Sequence, residues 1–168
     1  MKQTLVVMAA VLVVLAAIPA VAGDGDGDAI LGLWATAPGT ESGQAHVEIV
    51  RNGDHYEGHI VWLQKPTYPP DDPEGMAGQA RVDRNNPDPA LQSKPIIGLK
   101  ILWDMVWDGS GQWRKGRVYD PDNGKTYKCY IRLTPDGILK LRGYIGFSLL
   151  GRTSEWTPVA APATAPTE

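Results

Sequence analysis

One cysteine, one phenylalanine and three histidines in 168 residues leave little material for several kinds of site. The lone Cys129 forms no internal disulfide, so stability has to come from a packed core. Its place among alternating apolar residues marks it as a buried small hydrophobe rather than a nucleophile. No apolar run reaches the ~20 residues that cross a bilayer as a helix; the longest, Leu5–Ile18, has 14. Long amphipathic helical periodicity is missing after residue 22. Also missing are a Gly-x-Ser-x-Gly elbow and a Gly-rich loop ending in Gly-Lys-Ser or Gly-Lys-Thr at phosphate-cradle spacing. Nothing in the residue pattern asks for a metal or a cofactor.

Positive charge is scarce and unevenly spread. Net charge is −3, and −4 without Lys2. Residues 23–93 hold 12 acids and 4 bases, a balance of −8, whereas residues 94–168 hold 11 bases and 7 acids, a balance of +4. A chain that is acidic overall makes nucleic acid a poor partner.

The amino terminus carries a different message. Lys2, the apolar run and the small residues of Ala20-Val21-Ala22 have the order of a secretory signal peptide, residues 1–22, cut after Ala22. The exported chain then starts at Gly23, in the periplasm or outside the cell. Its 146 residues would bury roughly 68% of their unfolded surface, so no covalent staple is needed. Residues 23–29 read as a flexible acidic leader: Asp24, Asp26 and Asp28 match the start of a calcium loop, but Ala29 and Ala35 stand where that loop needs Gly and Glu.

From residue 30 to 157 the pattern is that of strands. Ile30–Thr36 holds Gly32-Leu33-Trp34. Gln44–Arg51 alternates, Asn52-Gly53 is a hairpin signal, and His55–Leu63 returns. Residues 64–95 then break the meander with seven of the fourteen prolines. A loop of this length usually has a function or is disordered, and Asp83-Arg84-Asn85-Asn86-Pro87 favours an ordered flap held by local Asx bonds, anchored by Asp83 and Asn86. Asp71-Asp72 reads as solvated loop, and Pro89–Lys94 as one helical turn. Ile96–Trp103 and Gly111–Tyr119 are the fourth and fifth strands. Tyr127–Leu133 and Ile138–Ile145 are the sixth and seventh, with alternation typical of half-buried antiparallel strands. Leu149–Thr157 is the eighth, and residues 158–168 are an Ala/Pro tail with nothing to bury. An up-and-down antiparallel barrel of about eight strands is predicted, because closure removes exposed edges; a β-sandwich is the competitor.

Arg142 and Tyr144 share the polar face of the seventh strand, with Tyr127 nearby on the sixth. If that face looks inward they would hold the anionic end of a ligand. If Leu139, Leu141 and Ile145 look inward instead, Arg142 is exposed and the interior is expected to be filled. His46 and His59, as cross-strand neighbours with Glu48 and Glu57, would supply a two-histidine, carboxylate set, though nothing in the spacing demands an ion.

Gly32-Leu33-Trp34 with Arg152 resembles the lipocalin pairing, in which a first-strand Trp packs beneath a late Arg at the barrel's closed end. Further segments include Gly58-His59-Ile60-Val61-Trp62-Leu63, Gly116-Arg117-Val118-Tyr119-Asp120-Pro121 and Gly124-Lys125-Thr126-Tyr127. With Leu141-Arg142-Gly143-Tyr144-Ile145-Gly146 and Gly151-Arg152-Thr153 with Trp156, they resemble an exported bacterial family catalogued as a domain of unknown function, DUF2147. That resemblance implies an exported calycin-like barrel, a structural role for Gly32, Trp34, Arg152 and Trp156, and no assigned catalytic residues. The leading expectation is non-enzymatic binding of a small apolar or amphipathic ligand. A protein-interaction module with a filled barrel, such as an inhibitor or envelope-assembly factor, is second, and a hydrolase with an unrecognised site third. Amino-terminal sequencing of the exported protein should return Gly23 first; a sequence starting at Met1 would refute the cleavage.

Overall fold

The computed structural model describes residues 26–39, 42–146 and 149–160, which form a closed barrel of eight strands. These are β1 (Gly32–Ala35), β2 (Ala45–Asn52), β3 (His55–Leu63), β4 (Lys100–Trp107), β5 (Gln112–Asp120), β6 (Lys125–Leu133), β7 (Leu139–Tyr144) and β8 (Gly151–Pro158). Each is antiparallel to the next, and β1 closes on β8 through Trp34↔Pro158 and Ala35↔Thr157. The expected up-and-down barrel is the fold. No helix among the described residues is long and apolar enough to cross a membrane. Residues 1–22, expected to be a signal peptide, the first residues of the expected leader and the tail from residue 161 lie outside the described residues.

Alternation sets which side chains fill the interior. Val47 and Ile49 on β2, Cys129 and Ile131 on β6, and Leu139 and Leu141 on β7 are all buried. The β2–β3 turn is Gly53-Asp54, since Asn52 pairs with His55. Gly53 has φ 61, the conformation a type II′ hairpin needs at its first turn residue.

The fourth strand is displaced from its expected position, starting at Lys100 rather than Ile96. Residues 96–99 serve as the flap's return leg: Ile96 N–H donates to Arg81 O, and Gly98, at φ 92, donates to Ile60 O. The strand then runs on to Trp107 because Asp104 adopts φ 58, a bulge that returns Met105 to the interior opposite Tyr56. A second bulge at Lys115, φ 63, lets both Trp113 and Gly116 face inward. Gly116 is needed there because a Cβ would run into the Met105 sulfur.

One end of the barrel is plugged. Trp34, Tyr56, Met105, Trp113 and Trp156 are buried together, and truncating such a Trp to Ala typically costs about 3–5 kcal/mol. The plug is sealed by residues expected to be a flexible leader, which the structure corrects. Asp26 caps a 3-10 turn at Gly27–Ile30, and Ile30 is fully buried. Gly27 O accepts from Trp113 Nε1 at 2.8 Å, and Asp28 accepts from Tyr56 OH and Arg51. The Trp34 indole donates to Ile30 O at 2.8 Å. The expected cover of Trp34 by Arg152 is therefore also corrected. Arg152 pairs with Gly143, six positions along β8 from Pro158, about 20 Å of strand away from Trp34.

The flap between β3 and β4 is ordered by its own contacts. Bridges Thr67↔Ala80 and Val82↔Pro95 fold it into a double-backed loop, with one 3-10 turn at Pro89–Leu91. Tyr68 is buried at its centre, with the Arg81 and Arg84 guanidiniums 4.9 and 4.6 Å from its ring centroid. Asp72, expected to be solvated, is buried and bonded to Arg84 at 2.9 Å. Burial opposes its charge, but Arg84 and the N–H groups of Met76 and Glu74 outweigh burial and hold its pKa below the ordinary value. A carboxylate so placed organises the loop around itself.

Candidate functional site

Inward side chains shrink along the barrel axis. Beyond the tryptophan plug, the interior positions include Ala45, Gly143 and Ser154, alongside Ile60, Ile101 and Val118. These residues leave a cavity of about 940 Å³, open between the loops that join β1 to β2, β3 to β4, β5 to β6 and β7 to β8. Its size is that of a small-molecule site. A Cβ on Gly143 would sit 3.6 Å from Tyr127 and Val118, ordinary contact, so glycine there preserves open space rather than relieving a clash.

The mouth is polar. Asp120 accepts from the Asp122 N–H at 3.0 Å and from Asn123 Nδ2 at 2.8 Å; Asn123 also donates to Tyr127 OH at 3.2 Å. Burial pushes the Asp120 carboxyl above its ordinary pKa, and the neighbouring Asp122 charge adds to this. The Asp122 N–H, Asn123 and the charge of Arg152 pull the other way. Arg152 borders the cavity, and the described residues give its side chain no hydrogen bond or ion pair. A cation so placed above apolar walls is ready for an anionic group.

Behind the cavity wall, the flap is tied to the barrel by a buried carboxylate. Asp83, fully buried, accepts from Tyr119 OH on β5 at 2.6 Å and from Asn86 Nδ2 at 2.6 Å. Asn85 adds bonds from Nδ2 to Pro121 O at 3.0 Å and Asp122 O at 3.2 Å, on the β5–β6 turn. Gly124 in that turn, at φ 68, has Asn85 O where a Cβ would be. The flap thus grips the hairpin that carries Asp120 and Asn123.

Of the residues singled out from sequence, Tyr127 faces the cavity, and Asp83 and Asn86 stand behind its wall. Arg142 does not face the cavity. It lies on the outer wall, donating to Thr153 Oγ1 at 3.1 Å and Leu149 O at 3.2 Å. Tyr144 contributes to the rim while its ring packs 6.4 Å from Tyr130 outside. The apolar face of β7 looks inward, yet the interior is only half filled, an outcome the two expected alternatives did not include. The histidines do not assemble: His46 opposes Trp62 and stacks on it at 4.4 Å, and His59 opposes Glu48. A bulge between His46 and Val47 sets that register, and the described residues contain no group of three or more metal-ligating side chains. Sequence reasoning missed Arg152 as the mouth cation, and with it Asp120 and Asn123. The small inward residues Ala45, Gly143 and Ser154 were the available signal.

The family described as "Uncharacterized protein conserved in bacteria (DUF2147)" matches residues 32–158. The chain belongs to this family. A solved structure similar to this DUF2147 barrel is that of protein HP1028 from Helicobacter pylori, described as belonging to the lipocalin family. It is 20% identical, covers 77% of this chain and 82% of its own, and has a TM-score of 0.65. At that identity the likeness concerns the fold, which is lipocalin-like. No curated protein matches the chain.

Removing the Tyr119 hydroxyl tests the flap anchor. Tyr119→Phe leaves the buried Asp83 carboxylate with one donor fewer, and a loss of about 1.5–3 kcal/mol is expected in urea denaturation. Proteolysis between residues 64 and 95 should quicken as well. Burial, then the bond to Asp83, raise the Tyr119 pKa above 10.0. Its contribution is therefore intact below pH ~10 and lost as pH rises through the folded value. In Tyr119→Phe the alkaline fall in stability should be shallower, and an unchanged urea midpoint would show that the bond carries no weight.

Proposed function

We propose that this protein is an exported, non-enzymatic binder of a small amphipathic molecule, with the apolar part in the barrel and an anionic head at Arg152. The observation that carries the reading is the half-filled barrel, in which a 940 Å³ apolar cavity is bordered by Arg152, whose charge is felt by Asp120 but which makes no side-chain hydrogen bond or ion pair among the described residues. A cation bordering apolar walls can hold a ligand carboxylate or phosphate by a charge-assisted bond. Ile60, Leu63, Ile101 and Val118 would contact the tail; Tyr127 and Asn123 would bond the polar end. The open interior favours this reading over an interaction module with a filled barrel. The histidines offer no support for a hydrolase, since none of them lines the cavity. Export rests on the signal-like order of residues 1–22.

Titration with a dansyl-labelled medium-chain carboxylic acid tests it. Micromolar binding is expected, with Gly143→Leu abolishing it by filling the cavity and Arg152→Ala weakening it about 10- to 100-fold, the loss of one charge-assisted bond. An alcohol of the same chain length should bind wild type and Arg152→Ala alike. Wild-type protein that does not bind, or a Gly143→Leu variant that binds as well as wild type, would overturn the reading.

A further inference from the structure

Exposed aliphatic side chains are concentrated at one edge of the mouth. In the β7–β8 connection, Ile145 is 67% exposed, Leu149 89% and Leu150 77%, while no other large apolar side chain described exceeds the 47% of Ile97. Exposed aliphatics gathered at one edge of a polar surface have the composition of an interaction site. The adjoining outer wall is basic and aromatic. Lys128 stands opposite Arg117 on one side and Tyr144 on the other, and Tyr130 stands opposite Arg142. Lys125 begins the same strand at the rim of the mouth, exposed, on the face that carries Tyr127 rather than on the outer wall. Arg142 ties the loop to this wall by donating to Leu149 O. One acid stands on this wall, Asp104 at 4.0 Å from Arg117, whereas Asp120 and Asp122 border the inside of the mouth.

We infer that this edge docks on an anionic lipid bilayer, with Ile145, Leu149 and Leu150 entering the interface and Arg117, Lys125, Lys128 and Arg142 facing lipid headgroups. Each component has the matching physical property. Aliphatic side chains partition into the acyl boundary, tyrosines suit the amphipathic headgroup layer, and lysines and arginines are drawn to a negative leaflet. Charge complementarity selects a bilayer bearing acidic headgroups over a neutral one. Continuity points the same way, because Ile145 and Leu150 border the cavity itself, so docking would open the mouth toward the membrane. Docking stands apart from the cavity's ligand, since it needs the outer wall and the loop, not the interior.

Co-sedimentation with vesicles of phosphatidylcholine and phosphatidylglycerol, against phosphatidylcholine alone, tests the inference. At low salt the protein should bind the acidic vesicles at least several-fold better, with the difference shrinking as salt rises. Leu149→Asp and the double variant Lys125→Glu/Lys128→Glu should each lower binding about tenfold or more while melting like wild type. Gly143→Leu should sediment as wild type does, which separates docking from cavity binding. Absence of sedimentation by wild type, or wild-type behaviour of both surface variants, would overturn the inference. Dimerisation abolished by Leu149→Asp would also overturn it, by assigning the patch to a second copy. So would loss of vesicle binding in Gly143→Leu, which would reduce the interaction to lipid capture in the cavity.

Discussion

The structure depends on a gradient of side-chain volume along one barrel axis. A closed eight-stranded barrel has an interior that side chains can just fill, so the size of each inward residue decides whether a given level is solid or hollow. At one end Trp34, Trp113, Trp156, Tyr56 and Met105 fill it and supply the stabilising burial. The other end spends its inward positions on Ala45, Gly143 and Ser154, and opens. The plug is what permits the opening. Because the tryptophans of β1, β5 and β8 concentrate stabilising burial at one end, the mouth end can carry cavity surface that would otherwise be a defect. Two bulges, at Asp104 and Lys115, make the plug fit by letting β4 and β5 direct Met105, Trp113 and Gly116 inward out of strict alternation.

A hollow end needs walls that hold their shape. The flap of residues 64–95 provides this from outside. It is ordered around Tyr68 and Asp72, and it is fastened to β5 and the β5–β6 turn by Asp83, Asn85 and Gly124. Fixing a loop of that length is expensive in conformational entropy, about 1–2 kcal/mol per residue. Prolines that restrict the unfolded chain and part-buried side-chain-to-backbone bonds offset much of it. The result is a polar rim of fixed geometry, Asp120, Asn123 and Tyr127 facing Arg152 across the mouth.

The barrel was legible because half-buried antiparallel strands write their period into the sequence. His55–Leu63 could be delimited to the residue, since Asn52-Gly53 fixes its start and the proline-rich flap its end. Strand β4 was not, because Gly98 and the left-handed Asp104 break the very alternation on which strand recognition rests. The site was legible only in part. A polar stripe containing Arg142 and an apolar stripe containing Leu141 are both visible on β7, but the sign of curvature, which decides the inner face, belongs to the closed sheet and not to the strand. The same limit applied to Arg152. Its register with Gly143 places it at the mouth, and that register is set by pairing between residues that no local pattern relates. The capping role of Gly27–Ile30 was hidden for a similar reason: an acidic, Gly-rich segment looks solvated until Trp113, 86 positions away, donates to it.

A barrel solid at one end and able to take a ligand at the other can be seen in a crystal structure of residues 23–168 with an alkyl carboxylate brominated at its tail. An anomalous bromine peak is expected among Ile60, Leu63, Ile101 and Val118, with the carboxylate against the Arg152 guanidinium and the tryptophan plug unmoved. A barrel whose mouth half is packed with side chains, or a bromine peak found only outside it, would show that the interior is not a binding site.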